Sequence, residues 1–251
     1  MKTVKLGNII IGEGKPKICV PIVERDIEGI VNAAGNIVQV SPDIVEWRVD
    51  FFDQIDSFEA VKEVLFNLRK ILKEIPILFT FRIKCEGGNR DISFEDYSKL
   101  LIEASKMKDV DLIDVQTFFE SSENIIKLVN KIKSNGTFVI GSYHNFDMTL
   151  PKNELLEKMK KMQKIGVDIV KTALMPNNKH DVIELLDATL TMKEKYSDRP
   201  LVTMSMGKDG VVSRICGECF GSDITFAAVG KTSAPGQIEA KDLRRILEVL
   251  D

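Results

Sequence analysis

The chain has 251 residues, 44% of them hydrophobic and 29% charged, which suits a buried core and excludes a disordered polyelectrolyte. Its formal net charge of −3 and isoelectric point near 5.6 leave no basic stripe for a nucleic-acid partner. No apolar run approaches the roughly 18 residues of a membrane span, and charges are scattered through residues 1–20, so no signal peptide is read and a cytoplasmic, membrane-free protein is expected.

In chain order, VKLGNIIIG alternates around Gly7-Asn8 and predicts a small hairpin. Eight short apolar runs follow, at 17–23, 44–49, 77–82, 111–115, 137–144, 167–171, 201–204 and 224–229. Amphipathic segments separate them. Phe58, Val61, Leu65, Leu68 and Leu72 recur at helical spacing, as do Leu155, Met159 and Met162. Residues 207–214 are too short for a long helix and read as a single turn. No linker or composition shift divides the chain, so one domain over 1–251 is expected.

Eight strand–helix units in this length predict the α/β class and a (β/α)8 TIM-type barrel, with the N-terminal hairpin closing its floor. A doubly wound open sheet is the alternative. No G-x-G-x-x-G or G-x-x-x-x-G-K-[ST] follows the first run, which weakens a nucleotide-binding reading. Cys216 and Cys219 form a lone C-x-x-C without further ligands, so no metal site is expected.

Alternation along a barrel strand sends every second residue to the lumen. In VEWRVD, Glu46, Arg48 and Asp50 share one face, and Val45, Trp47 and Val49 the other. In ILFTFR, Thr80 and Arg82 point together. In TFVIGSYH, His144 lies with Phe138, Ile140 and Ser142, and in VDIVK, Lys171 lies with Val167 and Ile169. Bulky apolar residues suit the helix layer, so the charged ones face inward at the C-terminal strand ends, where barrel enzymes carry their sites. Buried charges need partners. A polar cavity of Glu46, Arg48, Arg82, Glu86, His144 and Lys171 is therefore predicted, with Arg214 and Gln237 arriving from later loops. A lysine desolvated among cations loses its proton readily and attacks ketones to give an imine. Histidine is suited to move the adjacent proton, and Glu86 would orient it and raise its basicity. These residues point to an imine-forming lyase or an aldolase; a non-catalytic binding barrel would need neither Lys171 nor His144.

Six blocks, EWRVD (46–50), TFRIKCEGG (80–88), SYHNF (142–146), VDIVKTALMP (167–176), MSMGKDGVVSR (204–214) and SAPGQ (233–237), occur in order and resemble the type I 3-dehydroquinate dehydratase family. The resemblance implies a homodimeric barrel acting on 3-dehydroquinate in the shikimate pathway, without cofactor or metal. It implies that Lys171 forms the imine, that His144 is the general acid/base and that Glu86 orients it. Arg214 then anchors the substrate carboxylate, and Glu46, Arg48, Arg82, Ser233 and Gln237 hold its hydroxyls and carboxylate. Residues 231–237, KTSAPGQ, are expected to form a lid. Asn145 and Thr172 depart from the family pattern, and Pro21 stands where some members have a serine contact. His180 is expected to be a solvated residue at a helix start, and Cys85 to pack.

Overall fold

The computed structural model describes residues 2–250. β1 (Val4–Leu6) and β2 (Ile9–Ile11) form an antiparallel hairpin. Gly7 takes φ +52° at its turn, a left-handed value that glycine adopts without steric cost. Val4, Leu6 and Ile11 pack against Leu78, Leu112, Ile140 and Ile169. The hairpin thus plugs the lower end of the barrel, as expected.

The eight remaining strands are parallel: β3 (Lys17–Ile22), β4 (Ile44–Arg48), β5 (Ile77–Thr80), β6 (Leu112–Gln116), β7 (Phe138–Asn145), β8 (Ile169–Leu174), β9 (Leu201–Ser205) and β10 (Ile224–Phe226). They run β10-β3-β4-β5-β6-β7-β8-β9 around a nearly closed barrel. The seam between β9 and β10 is bridged, with Asp223 N donating to Leu201 O at 2.7 Å and Thr203 N to Ser222 Oγ at 3.1 Å. The open-sheet alternative is therefore set aside.

The outer layer comprises α1 (Ile27–Val38), α2 (Phe58–Leu72), α3 (Phe94–Ser105), α4 (Ser122–Ser134), α5 (Lys152–Ile165), α6 (Lys179–Lys195), α7 (Val211–Ile215), α8 (Gly217–Phe220) and α9 (Ala240–Leu250). Side chains of Asp26, Ser57, Ser93, Ser121 and Asn178 cap α1, α2, α3, α4 and α6 by accepting a free backbone N–H. In α2 the predicted stripe of Val61, Leu65, Leu68 and Leu72 is buried against the sheet. Among the described residues no helix is long and apolar enough to cross a membrane.

Alternation sorts the strands as expected. Val45, Trp47, Phe79 and Phe81 pack outward with the helices, where Trp47 meets Phe52 and Phe79 edge-on at 5.8 and 5.6 Å. Several bounds differ. β5 stops at Thr80 because the chain peels away, sending Arg82 N to Asp50 Oδ1 and Ile83 N to Gln116 Oε1. β8 starts at Ile169 and extends to Leu174, paired to the end of β7, so Val167 joins the helix layer and not the lumen. Lys171 is therefore mid-strand, deeper than a strand end. The turn expected over 207–214 is realised as α7, reaching Ile215. His180 is exposed at the start of α6, as expected, whereas Cys85 is exposed on a 3-10 turn and does not pack.

Candidate active site

The strand tops converge on one cavity. β4 supplies Glu46 and Arg48, β7 His144 and β8 Lys171; Arg82 and Glu86 follow β5, Arg214 sits on α7, and Ser233 and Gln237 come from the loop after β10. All nine predicted residues line this space, together with Gly87, Phe146, Ala173, Met204, Met206, Phe226 and Ala234. Its volume is about 40 Å³, room for a few waters and too little for a ring. Entry of a ring-sized molecule requires the cover to move.

The charges are organised in pairs. Arg48 grips Asp50 with two hydrogen bonds of 2.8 Å, and Asp50 also accepts the backbone N–H groups of Arg82 and Asn89. Asp50 belongs to a 3-10 turn after β4, so it braces Arg48 and does not line the cavity. Arg82 Nη2 meets Asp114 Oδ2 at 2.7 Å, and its Nη1 donates to Ser142 Oγ at 2.7 Å and Glu86 Oε2 at 3.2 Å. Glu46 accepts from Thr80 Oγ1 at 2.9 Å.

Lys171 Nζ lies 3.3 Å from Asp114 Oδ2, 3.7 Å from Glu46 Oε1 and 4.4 Å from the centre of the Phe226 ring. The expected lysine ringed by cations is corrected: two carboxylates face it directly. Asp114, Gln116 and Ser142 were missed as site residues. The signal was available, because alternation in LIDVQ puts Asp114 and Gln116 on the inward face of Leu112. Gln116 Oε1 fixes Ile83 N, ahead of the turn that carries Glu86.

His144 Nδ1 lies 3.0 Å from Glu86 Oε2, which also accepts His144 N at 3.2 Å. Glu86 orients the ring as expected, but the imidazole is not made more basic. Burial first, then Arg82, Lys171 and Arg48, pushes its pKa well below the ordinary histidine value. The ring is neutral at pH 7; facing a carboxylate, Nδ1 is the nitrogen that carries the proton, and Nε2 has no partner among the described residues. Burial raises the Glu86 carboxyl above its usual value, against opposing pulls from Arg82 and Gln116.

Arg214 differs from the other two arginines. It is buried, and among the described residues no carboxylate pairs with it; its guanidinium reaches only Phe226 O at 3.4 Å, Pro235 O at 3.1 Å and the Met204 sulfur, and Nε is unpartnered. Burial pushes its pKa down to about 10. The loop 231–237 folds over the opening. Ser233 N donates to Gln237 Oε1 at 2.8 Å, Gln237 Nε2 to Ser233 Oγ at 3.1 Å, and Gly207 N to Pro235 O at 3.1 Å. Lys231 pairs with Glu24 at 2.5 Å at its base.

The departures sit outside the cavity lining. Asn145 accepts the backbone N–H groups of Asp147 and Met148, fixing the turn after β7. Thr172 is buried between inward-facing Lys171 and Ala173, its hydroxyl unpartnered.

A buried amine and a neutral imidazole, held by carboxylates at the C-terminal rim of a (β/α)8 barrel, define an enzyme of amine and acid–base chemistry. The chain belongs to the type I 3-dehydroquinase family, whose model matches residues 18–251. Membership makes it a hydro-lyase. It is 46% identical to the 3-dehydroquinate dehydratase of Clostridioides difficile (strain 630) over 249 residues, covering 99% of this chain and 97% of that one. It is 44% identical to that of Clostridium novyi (strain NT) over 250 residues, covering 100% and 98%. The crystal structure of the type I enzyme from Clostridium difficile, solved with covalently modified comenic acid, matches at TM-score 0.96 and 46% identity, covering 99% and 98%. The Geobacillus kaustophilus 3-dehydroquinate dehydratase matches at TM-score 0.95 and 37% identity, covering 99% and 96%.

Proposed function

We propose that this protein eliminates water from 3-dehydroquinate to give 3-dehydroshikimate, the dehydration step of the shikimate pathway, through an imine on Lys171. The observation that carries this reading is the pair on β7 and β8: His144, braced by Glu86, and Lys171 line one cavity from neighbouring strands.

After losing a proton to His144, the Lys171 amine attacks the C3 ketone, a C–N bond forms, and His144 returns that proton as the carbonyl oxygen leaves as water, giving a positively charged iminium. That charge acidifies C2, and His144 takes the C2 proton through Nε2. The resulting neutral enamine expels the C1 hydroxyl, which leaves as water with the proton held by His144. A water then hydrolyses the conjugated iminium, restoring the amine and the ketone. Glu86 keeps the Nδ1 proton in place while Nε2 cycles. Arg214, with no carboxylate partner among the described residues, takes the substrate carboxylate. Glu46, Ser233 and Gln237 hold hydroxyls, and Arg48 and Arg82 contribute the donors that their carboxylates leave free. No cofactor is needed, because the imine nitrogen accepts the electron pair. Loop 231–237 acts as a lid that opens for substrate and then excludes water.

The same reading takes residues 1–251 as one catalytic domain that works in the cytoplasm as a homodimer, which light scattering checks. The function is tested by following the absorbance of the conjugated enone carboxylate, which carbon–carbon cleavage by an aldolase would not produce. Borohydride reduction during turnover should add mass to the peptide bearing Lys171, and Lys171→Ala should abolish both signals. Turnover by Lys171→Ala, or an adduct on another peptide, rejects the mechanism.

A further inference from the structure

Asp114 is completely buried on β6 and sits between the two halves of the chemistry. Its Oδ1 accepts Ser142 Oγ–H at 2.5 Å, and its Oδ2 takes both Arg82 Nη2 at 2.7 Å and Lys171 Nζ at 3.3 Å. Arg82 continues to Glu86 at 3.2 Å, and Glu86 to His144 at 3.0 Å. One buried chain therefore runs Lys171–Asp114–Arg82–Glu86–His144, with a carboxylate at each reacting group and a fixed cation between them. We propose that Asp114 is the built-in counter-ion of the iminium on Lys171, matching at the lysine end what Glu86 supplies at the histidine end.

The reasoning rests on the imine pathway proposed above. A neutral amine, a ketone and a proton give an iminium and water, so positive charge appears on Nζ. Proton abstraction then moves that charge to the imidazole and leaves a neutral enamine. The charge alternates between two ends of a narrow, largely buried cavity, where each end needs a fixed anion. Glu46 is the other carboxylate near Nζ, but it is farther, at 3.7 Å, and carries the Thr80 hydroxyl. Burial alone would push the Asp114 carboxyl up; Arg82, Lys171 and Ser142 outweigh it and hold it below the usual aspartate value, so it remains an anion. Ser142 occupies Oδ1, which leaves Oδ2 aimed at Arg82 and Lys171.

The test compares wild type, Asp114→Asn and Ser142→Ala in three measurements: borohydride-trapped adduct on the Lys171 peptide at saturating substrate, kcat, and affinity for the C3-hydroxyl analogue, which cannot form an imine. An opposite charge at this range favours the charged form by about 10- to 10³-fold. Asp114→Asn should therefore lose about 10-fold or more in iminium formation and turnover, with analogue affinity within about 3-fold of wild type. Ser142→Ala keeps the charge but frees the carboxylate, and should lose about 3- to 10-fold in the same two readouts. It decides the matter if Asp114→Asn does not fold. Trapping and kcat unchanged in either folded variant overturns the inference, and so does analogue affinity falling in step with trapping, which marks a purely structural role. Absence of a wild-type adduct on Lys171 sinks the imine pathway itself; a trapped wild type with unaffected variants sinks only the role of Asp114.

Discussion

Glu86 Oε2 faces both the Nδ1 and the backbone N of His144, at 3.0 and 3.2 Å, so one carboxylate oxygen sets the ring's position and its tautomer. Glu86→Gln preserves the shape but offers an amide that can donate to Nδ1 and move the ring proton to Nε2. A wrong tautomer of this kind is severe in other acid–base sites. We expect kcat to fall about 10²-fold or more, with analogue binding largely kept, as measured by the enone assay and calorimetry. Equal loss in both would mean that Glu86 shapes the pocket only.

The pH dependence follows from the depressed pKa of His144. The folded enzyme keeps this imidazole neutral below about pH 6.5, the unperturbed histidine value. Catalysis needs that neutral base, so the acidic limb of kcat/KM should lie clearly below pH 6.5. The stability contribution runs the same way. The unfolded state binds a proton at His144 before the folded state does, so stability from this group is full above about pH 6.5 and falls as pH drops toward the lower folded value. Urea midpoints across pH 5–8 measure this, and a kcat/KM limb at or above 6.5 contradicts it.

Gly87 and Gly88 form the tight turn after Glu86. Gly87 has φ +83°, and a Cβ there would collide with the Phe146 ring; at Gly88 it would collide with the Arg82 carbonyl. Backbone strain of this sort costs about 1–3 kcal/mol. Gly88→Ala should be the worse of the two, because a carbonyl cannot rotate aside as a ring can. Both should lower kcat by displacing Glu86, and thermal melts should rank them in that order.

Arg214 is the one catalytic-face arginine without an anion among the described residues. Arg214→Ala should weaken substrate by about 1.5–3 kcal/mol, the range for a hydrogen bond to a charged group, seen mainly as a raised KM. Trapping at saturating substrate should survive. A fall in kcat with an unchanged KM would remove the carboxylate role.

Asp50 carries the bidentate bond to Arg48 and two backbone N–H groups while wholly buried. Asp50→Ala leaves a buried guanidinium unpaired, which costs about 3–5 kcal/mol. Urea denaturation should show a loss of that size, and a loss under 1 kcal/mol would mean that water replaces the carboxylate.

The strand count, the helix stripe of α2 and the inward face of Glu46 and Arg48 were all legible from periodicity, because burial on one face imposes a local repeat that survives in sequence. The nine residues that line the cavity were legible too, eight by alternation and spacing or loop position before any family resemblance, and Ser233 with it. The environment of each charge was not legible. Asp114 lies 57 residues from Lys171 in the chain, yet 3.3 Å away in space, and the cations that depress the His144 pKa, Arg82, Lys171 and Arg48, come from three separate stretches of chain. Strand register across the barrel brings these groups together: Ser142 beside Lys171 on one side and Gln116 beside Ser142 on the other. Alternation states which way a side chain points; only closure of the barrel states what it meets there, because Coulomb and desolvation energies depend on distances that no local pattern encodes.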